Sequence, residues 1–277
     1  MIAILLATYN GCERLPILIN SLINQSYKDW HLYIHDDGST DETLQICERF
    51  QLQDNRIVIL SDDIKHRGAK HSFMWLLEKV QADYYMFCDQ DDLWLPFKIE
   101  QSINRIKKIE ADSSVNIPVC VHTDLAVADG FYNITAQSLW KRSKIVPDLL
   151  ETKDYIQVFN CVTGCTMIFN DKAKSASLPF NEIAPMHDFW VAYRTIITGG
   201  TLTHLKASTI LYCQHGTNEI GAINANGSYI LNKLRHIRKV IENNRHNFHI
   251  MHEISGILFL KYLWCKIVYN FRRCFIL

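Results

Sequence analysis

None of the 277 residues belongs to an uninterrupted run of eighteen apolar ones, so no transmembrane span is expected. A Cys-x-x-Cys pair is also missing. The nine cysteines are odd in number and irregularly spaced, and Cys161 and Cys165, the nearest pair, have no companion histidines at zinc-finger spacing. Free, buried thiols in a reducing compartment are therefore expected. Met1–Ala7 is apolar but carries no basic leader and is too short for a signal peptide, so it reads as a first strand. Net charge is absent as well, with 29 basic residues against 29 acidic ones. That balance hides an asymmetry. From Ser228 onward there are nine Lys and Arg against two Asp and Glu, so the tail carries +7 and the preceding body −7. An acidic body with a basic tail points to a membrane surface or a protein partner, and no nucleic-acid partner is expected.

What is present is an ordinary globular composition, 48% apolar and 21% charged, at a length that suits one large α/β domain with an added C-terminal part. Ile2–Thr8, Trp30–His35, Ile57–Leu60 and Tyr84–Cys88 read as strands. Helical patterns lie between them at 15–23, 40–53 and 72–80, with Ser39 or Thr40 as N-cap of the second. This alternation predicts a mostly parallel sheet flanked by helices. A charged helix follows Pro96, then a strand Val119–Asp124. Asn160–Phe169 reads as a strand run broken by Gly164, which marks either a bulge, a close approach or a bend in the core. A helix begins near His187-Asp188, where Asp188 could serve simply as a cap. The strand Thr209–Cys213 leads to Gln214-His215-Gly216.

Ligands of such sheets bind beyond the carboxyl ends of the strands. Thr8-Tyr9-Asn10, Asp36-Asp37 and Asp89-Gln90-Asp91-Asp92 all fall there. Three carboxylates within four residues repel one another, and protonation, water or a cation must relieve them. A solvated turn is one reading of this stretch. The other is a divalent ion on oxygen ligands, Mg²⁺ or Mn²⁺, shared with substrate phosphates. His215, in a polar loop after a strand, is a further candidate ligand.

Taken in order, Ala7-Thr8-Tyr9-Asn10-Gly11, Asp36-Asp37-Gly38-Ser39-Thr40-Asp41, Asp89-Gln90-Asp91-Asp92-Leu93-Trp94, Asn160–Met167, His187-Asp188-Phe189-Trp190 and Gln214–Asn218 resemble family 2 glycosyltransferases of the GT-A fold. The bacterial rhamnosyltransferase-like branch is the nearest in character. The resemblance covers roughly residues 1 to 221. It implies an inverting transfer of a sugar from a UDP- or dTDP-linked donor to a saccharide acceptor, lipid-linked by inference from the tail, in cell-surface polysaccharide synthesis. By the same resemblance Thr8, Tyr9, Asn10, Asp37, Asp89, Gln90 and Arg67 would bind the sugar nucleotide. Asp91 and His215 would hold Mn²⁺ or Mg²⁺, Asp188 would be the catalytic base, and Thr163, Gly164 and Trp190 would line the acceptor side. Two positions depart from the pattern: Ser72 stands where Asn is frequent before Phe73, and Cys213 where an Arg is common. Lys65, Arg67 or a cation of the tail is left to meet the diphosphate.

Two alternatives are weighed beside it. A sugar nucleotidyltransferase would need a Gly-rich phosphate loop after the first strand, where Thr8-Tyr9-Asn10-Gly11 stands instead, and an aspartyl-phosphate phosphatase would carry its Asp-x-Asp there. An inactive sugar-nucleotide-binding protein is disfavoured by intact Asp91 and Asp188. The expected organisation is a catalytic domain over 1–227 and a basic amphipathic helical extension over 228–277. Ile257, Leu260, Leu263, Trp264, Ile267, Val268 and Phe271 lie on one side of the helical wheel, with Lys261, Lys266 and Asn270 on the other. That face would either pack on the body or lie on the inner face of the cytoplasmic membrane as a peripheral anchor.

Overall fold

A computed structural model describes residues 1–113, 115–214 and 237–276. Strands β1 (Ile2–Thr8), β2 (Trp30–Asp36), β3 (Ile57–Ile59) and β4 (Tyr84–Cys88) form the expected parallel half of the sheet, in the order β3-β2-β1-β4. Its register pairs Ile2 with Trp30 on one side and with Tyr84 on the other. Helices α1 (Leu15–Ile23), α2 (Thr43–Gln53) and α3 (Ala69–Lys79) make the crossovers. Because side chains alternate across a strand, Ala3 and Leu5 enter one core cluster and Ile2, Ile4 and Leu6 the other; Tyr85/Phe87 and Met86/Cys88 divide the same way. Burial on both faces is why these strands read as unbroken apolar runs.

The second half of the sheet is mixed. After β5 (Leu93–Trp94) and α4 (Lys98–Asp112) come β6 (Val119–Ala128), β7 (Ile134–Ala136), the short helices α5 (Leu139–Ser143) and α6 (Pro147–Leu150), β8 (Ile168–Asn170), α7 (Asp171–Ser177), α8 (His187–Ile197) and β9 (Thr201–Cys213). β8 inserts between β4 and β6, antiparallel to both, whereas β6 and β9 run parallel. Two local expectations are corrected here. Residues 160–167 are not strand: a single 3-10 turn, Gly164–Thr166, precedes β8. Nor do Ser39 and Thr40 cap α2. Asp41 accepts the Thr43 amide at 3.0 Å, and Ser39 is engaged by Asp36 and Asn10.

Beyond the undescribed residues lie α9 (Ile237–Ser255) and α10 (Phe259–Ile276). Tyr262, Cys265 and Tyr269 of α10 are buried in the same core cluster as α3 and α8. The expected division at Ser228 lies outside the described residues. All nine cysteines carry free thiols, as their spacing suggested.

Candidate functional site

The carboxyl ends of β1, β2 and β4 open into one cavity of about 1110 Å³, closed on its far side by residues 159–164, the start of α8 and the last helix. Thr8, Tyr9, Asn10, Asp37, Asp89, Gln90, Asp91, Thr163, Gly164 and Asp188 all line it. The three polar clusters therefore share one cavity, and Asp188 lines it with them.

Much of the donor-side wall is spent on holding itself in shape. Gln90 clamps the acidic loop to the β1 turn, its carbonyl accepting from the Tyr9 amide at 2.9 Å and its amide donating to the Tyr9 carbonyl at 3.0 Å. The Asn10 carbonyl accepts the Thr40 amide at 2.8 Å, and its own backbone amide donates to Ser39 Oγ at 2.9 Å. Thr8 Oγ1 donates to Asp36 at 3.1 Å. Asp37 accepts the backbone amides of Arg67 and Gly68 at 2.9 and 2.8 Å, fixing the loop that enters α3. Tyr9 stands edge-on to His66 with its ring partly open to the cavity.

Arg67 and Trp190 do not line the cavity. The Arg67 guanidinium pairs with Asp62 and lies against Trp75, so only its backbone supports the site. Trp190 donates its indole N–H to the Ser177 carbonyl at 2.7 Å and is buried in the core. Two residues past Asp188 on a helix, it points away from the face that Asp188 occupies. Lys65 packs near Gly38 instead. His215 lies outside the described residues. Two other cations do reach the cavity: Arg14, which the sequence did not single out and whose guanidinium sits beside the Cys213 thiol, and Arg273 of α10, one of the tail cations left open above.

Asp188 is the second residue of α8, not its N-cap, which is Met186. Burial pushes its carboxyl up to about 6, against the opposing pull of the Phe189, Gly164 and Asp188 amides. His187 beside it is buried between Phe73 and Phe87, stacked on the former at 4.3 Å between ring centroids, and neither ring nitrogen has a hydrogen-bond partner. Burial lowers it to about 3, so it is neutral at physiological pH. Gly164 is required here by close approach. A Cβ at this position would stand 3.0 Å from His187 Nε2 and 3.5 Å from Asp188 Cβ.

Among the described residues two groups of side chains have the composition of a metal site. Asp89, Asp92 and Cys165 place ligand atoms within 4.8 Å of one another. Asp92 is fully buried rather than capping the helix beyond, and no nitrogen or hydroxyl donor reaches either oxygen. Burial, then the nearby Asp89 and Asp91, pushes its carboxyl well up, and burial does the same to the Cys165 thiol. The hard carboxylate oxygens of Asp89 and Asp91 at the cavity wall suit Mg²⁺ or Mn²⁺; a protonated thiol does not. The other group, His122, Glu151 and His204, is outside the cavity lining. Its contacts of 2.9 and 2.7 Å to one Glu151 oxygen are hydrogen-bond lengths. Ligands at about 2.0–2.1 Å around a tetrahedral ion would stand roughly 3.3 Å apart. It is a buried carboxylate satisfied by two imidazoles.

Comparison with known proteins places the chain in a family. The chain is 30% identical over 230 residues to the dTDP-rhamnosyl transferase RfbG of Shigella flexneri, covering 78% of this chain and 74% of the relative. It is 24% identical over 182 residues to the UDP-Glc:alpha-D-GlcNAc-diphosphoundecaprenol beta-1,3-glucosyltransferase WfgD of Escherichia coli, covering 65% and 64%. The mannosyltransferase PcManGT from Pyrobaculum calidifontis, solved with GDP-Man and Mn2+, shares the fold at a TM-score of 0.57 and 14% identity, over 96% of this chain and 71% of that one. Residues 3–175 match the family described as Glycosyl transferase family 2, and the chain, a GT-A glycosyltransferase, belongs to it.

Proposed function

We propose that this glycosyltransferase moves a sugar from a UDP- or dTDP-linked donor to a hydroxyl of a lipid-linked saccharide, inverting the sugar carbon in one displacement, during cell-surface polysaccharide synthesis. The observation that carries the reading is that Asp188 lines the same cavity as Asp89 and Asp91. Thr8, Tyr9 and Asp37 form the nucleoside wall, with Asn10 and Gln90 holding its shape. Asp89 and Asp91 would hold a divalent cation, which supplies positive charge to a diphosphate leaving group as that group develops negative charge. Asp188, ionised above pH 6 or so, accepts the proton of the acceptor hydroxyl as that oxygen attacks. The amides of Phe189 and Gly164 fix the carboxylate in place for this transfer. Thr163 and Gly164 line the acceptor side, Gly164 because it lets the acceptor come close to Asp188.

A peripheral position on the inner face of the cytoplasmic membrane completes the proposal. Among the described residues no helix is long and apolar enough to cross a membrane. Yet the outward face of α10 exposes Leu260, Leu263, Trp264, Ile267, Phe271 and Phe275, with Trp264 65% and Phe275 74% accessible. The opposite face buries Tyr262, Cys265 and Tyr269. The two sequence readings of this helix are therefore both satisfied, by different faces. Lys266 and Arg272, with no acidic residue on the helix, favour an anionic lipid surface, while Lys261 is paired with Asp154 at 2.6 Å.

Thermal-shift measurements with UDP and dTDP, with and without Mn²⁺, test the donor half, since a ligand of the native state raises apparent stability by mass action. Asp91→Asn is expected to abolish the Mn²⁺-dependent part of the nucleotide shift and of donor turnover. Unchanged Mn²⁺ dependence in this variant would remove Asp91 from the cation site.

A further inference from the structure

Arg273 joins the membrane-facing helix to the reaction cavity. It sits on α10 between the exposed Arg272 and Cys274, yet it is only partly exposed and contributes to the cavity lining. Among the described residues no carboxylate pairs with it; the ring of Tyr269 lies 5.5 Å from its guanidinium carbon. Tyr269 in turn packs on Phe159 at 5.4 Å between ring centroids, and Phe159 belongs to the wall that continues through Asn160, Val162 and Thr163. Arg273 is thus part of the acceptor wall and not of the donor wall built by Thr8–Asn10, Asp37 and Asp89–Asp91. Leu139 and Ile145 add an apolar lining to the cavity.

A guanidinium without an acidic partner, beside apolar side chains and at the edge of a lipid-facing helix, matches a particular ligand. The ligand is an anionic phosphate carried on an apolar chain. The exposed face of α10 (Leu260, Trp264, Ile267, Phe271) would lie at the acyl boundary, which places residue 273 at the depth of lipid phosphates. The planar fork of Arg bonds two phosphate oxygens at once, which a lysine cannot do.

Resting on the reading of the protein as a transferase with a lipid-linked acceptor, we propose that Arg273 binds the phosphate of that acceptor. It holds the diphosphate at the cavity mouth while the saccharide beyond it reaches Asp188. Membrane docking and acceptor selection then reside in one helix: its outer face meets the bilayer and its last turn reads the phosphate.

The test uses the full chain, with geranylgeranyl diphosphate as probe, geranylgeraniol as the uncharged control, and tryptophan fluorescence or thermal shift as readout. Wild type is expected to bind the diphosphate at least tenfold more tightly than the alcohol. Arg273→Gln should lose about ten- to a hundredfold of diphosphate affinity, the range of charge-assisted hydrogen bonds, and Arg273→Lys should lose less. Binding of UDP with Mn²⁺ and of phosphatidylglycerol vesicles should be unchanged in both variants, which separates the acceptor phosphate from the donor diphosphate and from lipid headgroups. Equal affinity of wild type for diphosphate and alcohol would overturn the proposal. So would wild-type diphosphate affinity in Arg273→Gln, a parallel loss of UDP binding, or a loss confined to the vesicles. Failure of wild type to bind any nucleotide would instead count against the transferase reading, leaving the lipid comparison to stand by itself.

Discussion

Removing the charge of Asp188 should separate stability from activity in a pH-dependent way. Its carboxyl is pushed from an ordinary 3.8 up to about 6, chiefly by burial. At 1.36 kcal/mol per pH unit this amounts to at most about 3 kcal/mol by which the fold disfavours the ionised form. The sign follows from linkage. Below the unfolded value both states are protonated and nothing is lost; between pH 4 and 6 the folded state holds more protons than the unfolded one, and stability falls as pH rises. Above 6 the whole cost is present. Asp188→Asn removes that cost, so its melting temperature at pH 8 should exceed that of wild type by several degrees, with no advantage at pH 4. Transfer should fall by about 10²- to 10⁴-fold, the usual contribution of a general base. In wild type, kcat/KM for the acceptor should drop tenfold per pH unit below about 6. The paired measurements are a pH–rate profile and a melting series of both proteins over pH 4–8. An acid limb centred near 4, or an Asn variant that melts lower than wild type at pH 8, would refute a buried, charge-penalised base and leave Asp188 as a helix-end ligand of the fold.

Other perturbations act on different parts of the structure. Gly164→Ala forces a Cβ to 3.0 Å from His187 Nε2, and is expected to lower kcat/KM for the acceptor at least tenfold with unchanged nucleotide binding by calorimetry. Glu151→Gln breaks the carboxylate that takes both His122 and His204, and should cost about 1–3 kcal/mol at pH 7.5 in urea melts. The fold lowers Glu151, so its contribution is complete above about pH 4.5 and is lost as pH falls through its lowered folded value; the stability gap between wild type and variant should therefore close below pH 4.5. Truncation before Phe259 tests the membrane face, with phosphatidylglycerol vesicles expected to lose the protein; vesicle binding by a shortened chain that still binds UDP would reject it.

How much of this was legible varied with burial. β4 is bounded in sequence as in structure because every side chain from Tyr85 to Cys88 is buried, and a doubly buried strand has no polar interruption to hide it. β9 shows the opposite case. Thr209–Cys213 was apparent, but the strand starts at Thr201, and its first half carries His204 and Lys206, which disguise a strand hydrogen-bonded to β6. The run at 160–167 deceived in the other direction: its apolar residues enter the core from a turn, not a ladder. A cation of the tail was legible, but not that it is Arg273, because the wall it approaches is more than a hundred residues earlier in the chain and only tertiary packing through Tyr269 and Phe159 unites them. Trp190 was drawn in by nearness in sequence to Asp188, whereas helical geometry turns it into the core.

The acidic stretch changes most when its three carboxylates are separated. Asp89 and Asp91 line the cavity, while Asp92 lies beneath with zero accessibility. Lys98, also fully buried, is lowered to about 8 by burial. Its ammonium stands over the Trp94 ring at 4.4 Å and has no hydrogen-bond acceptor. No ion pair joins Asp92 and Lys98 among the described residues, and burial holds the Asp92 carboxyl toward its neutral form instead. Of the three carboxylates only Asp89 and Asp91 line the cavity. Gln90 holds the spacing by clamping the loop to Tyr9. A stretch that reads as a uniform run of acid is built as two cavity-lining carboxylates, a clamp and a buried carboxyl beneath them.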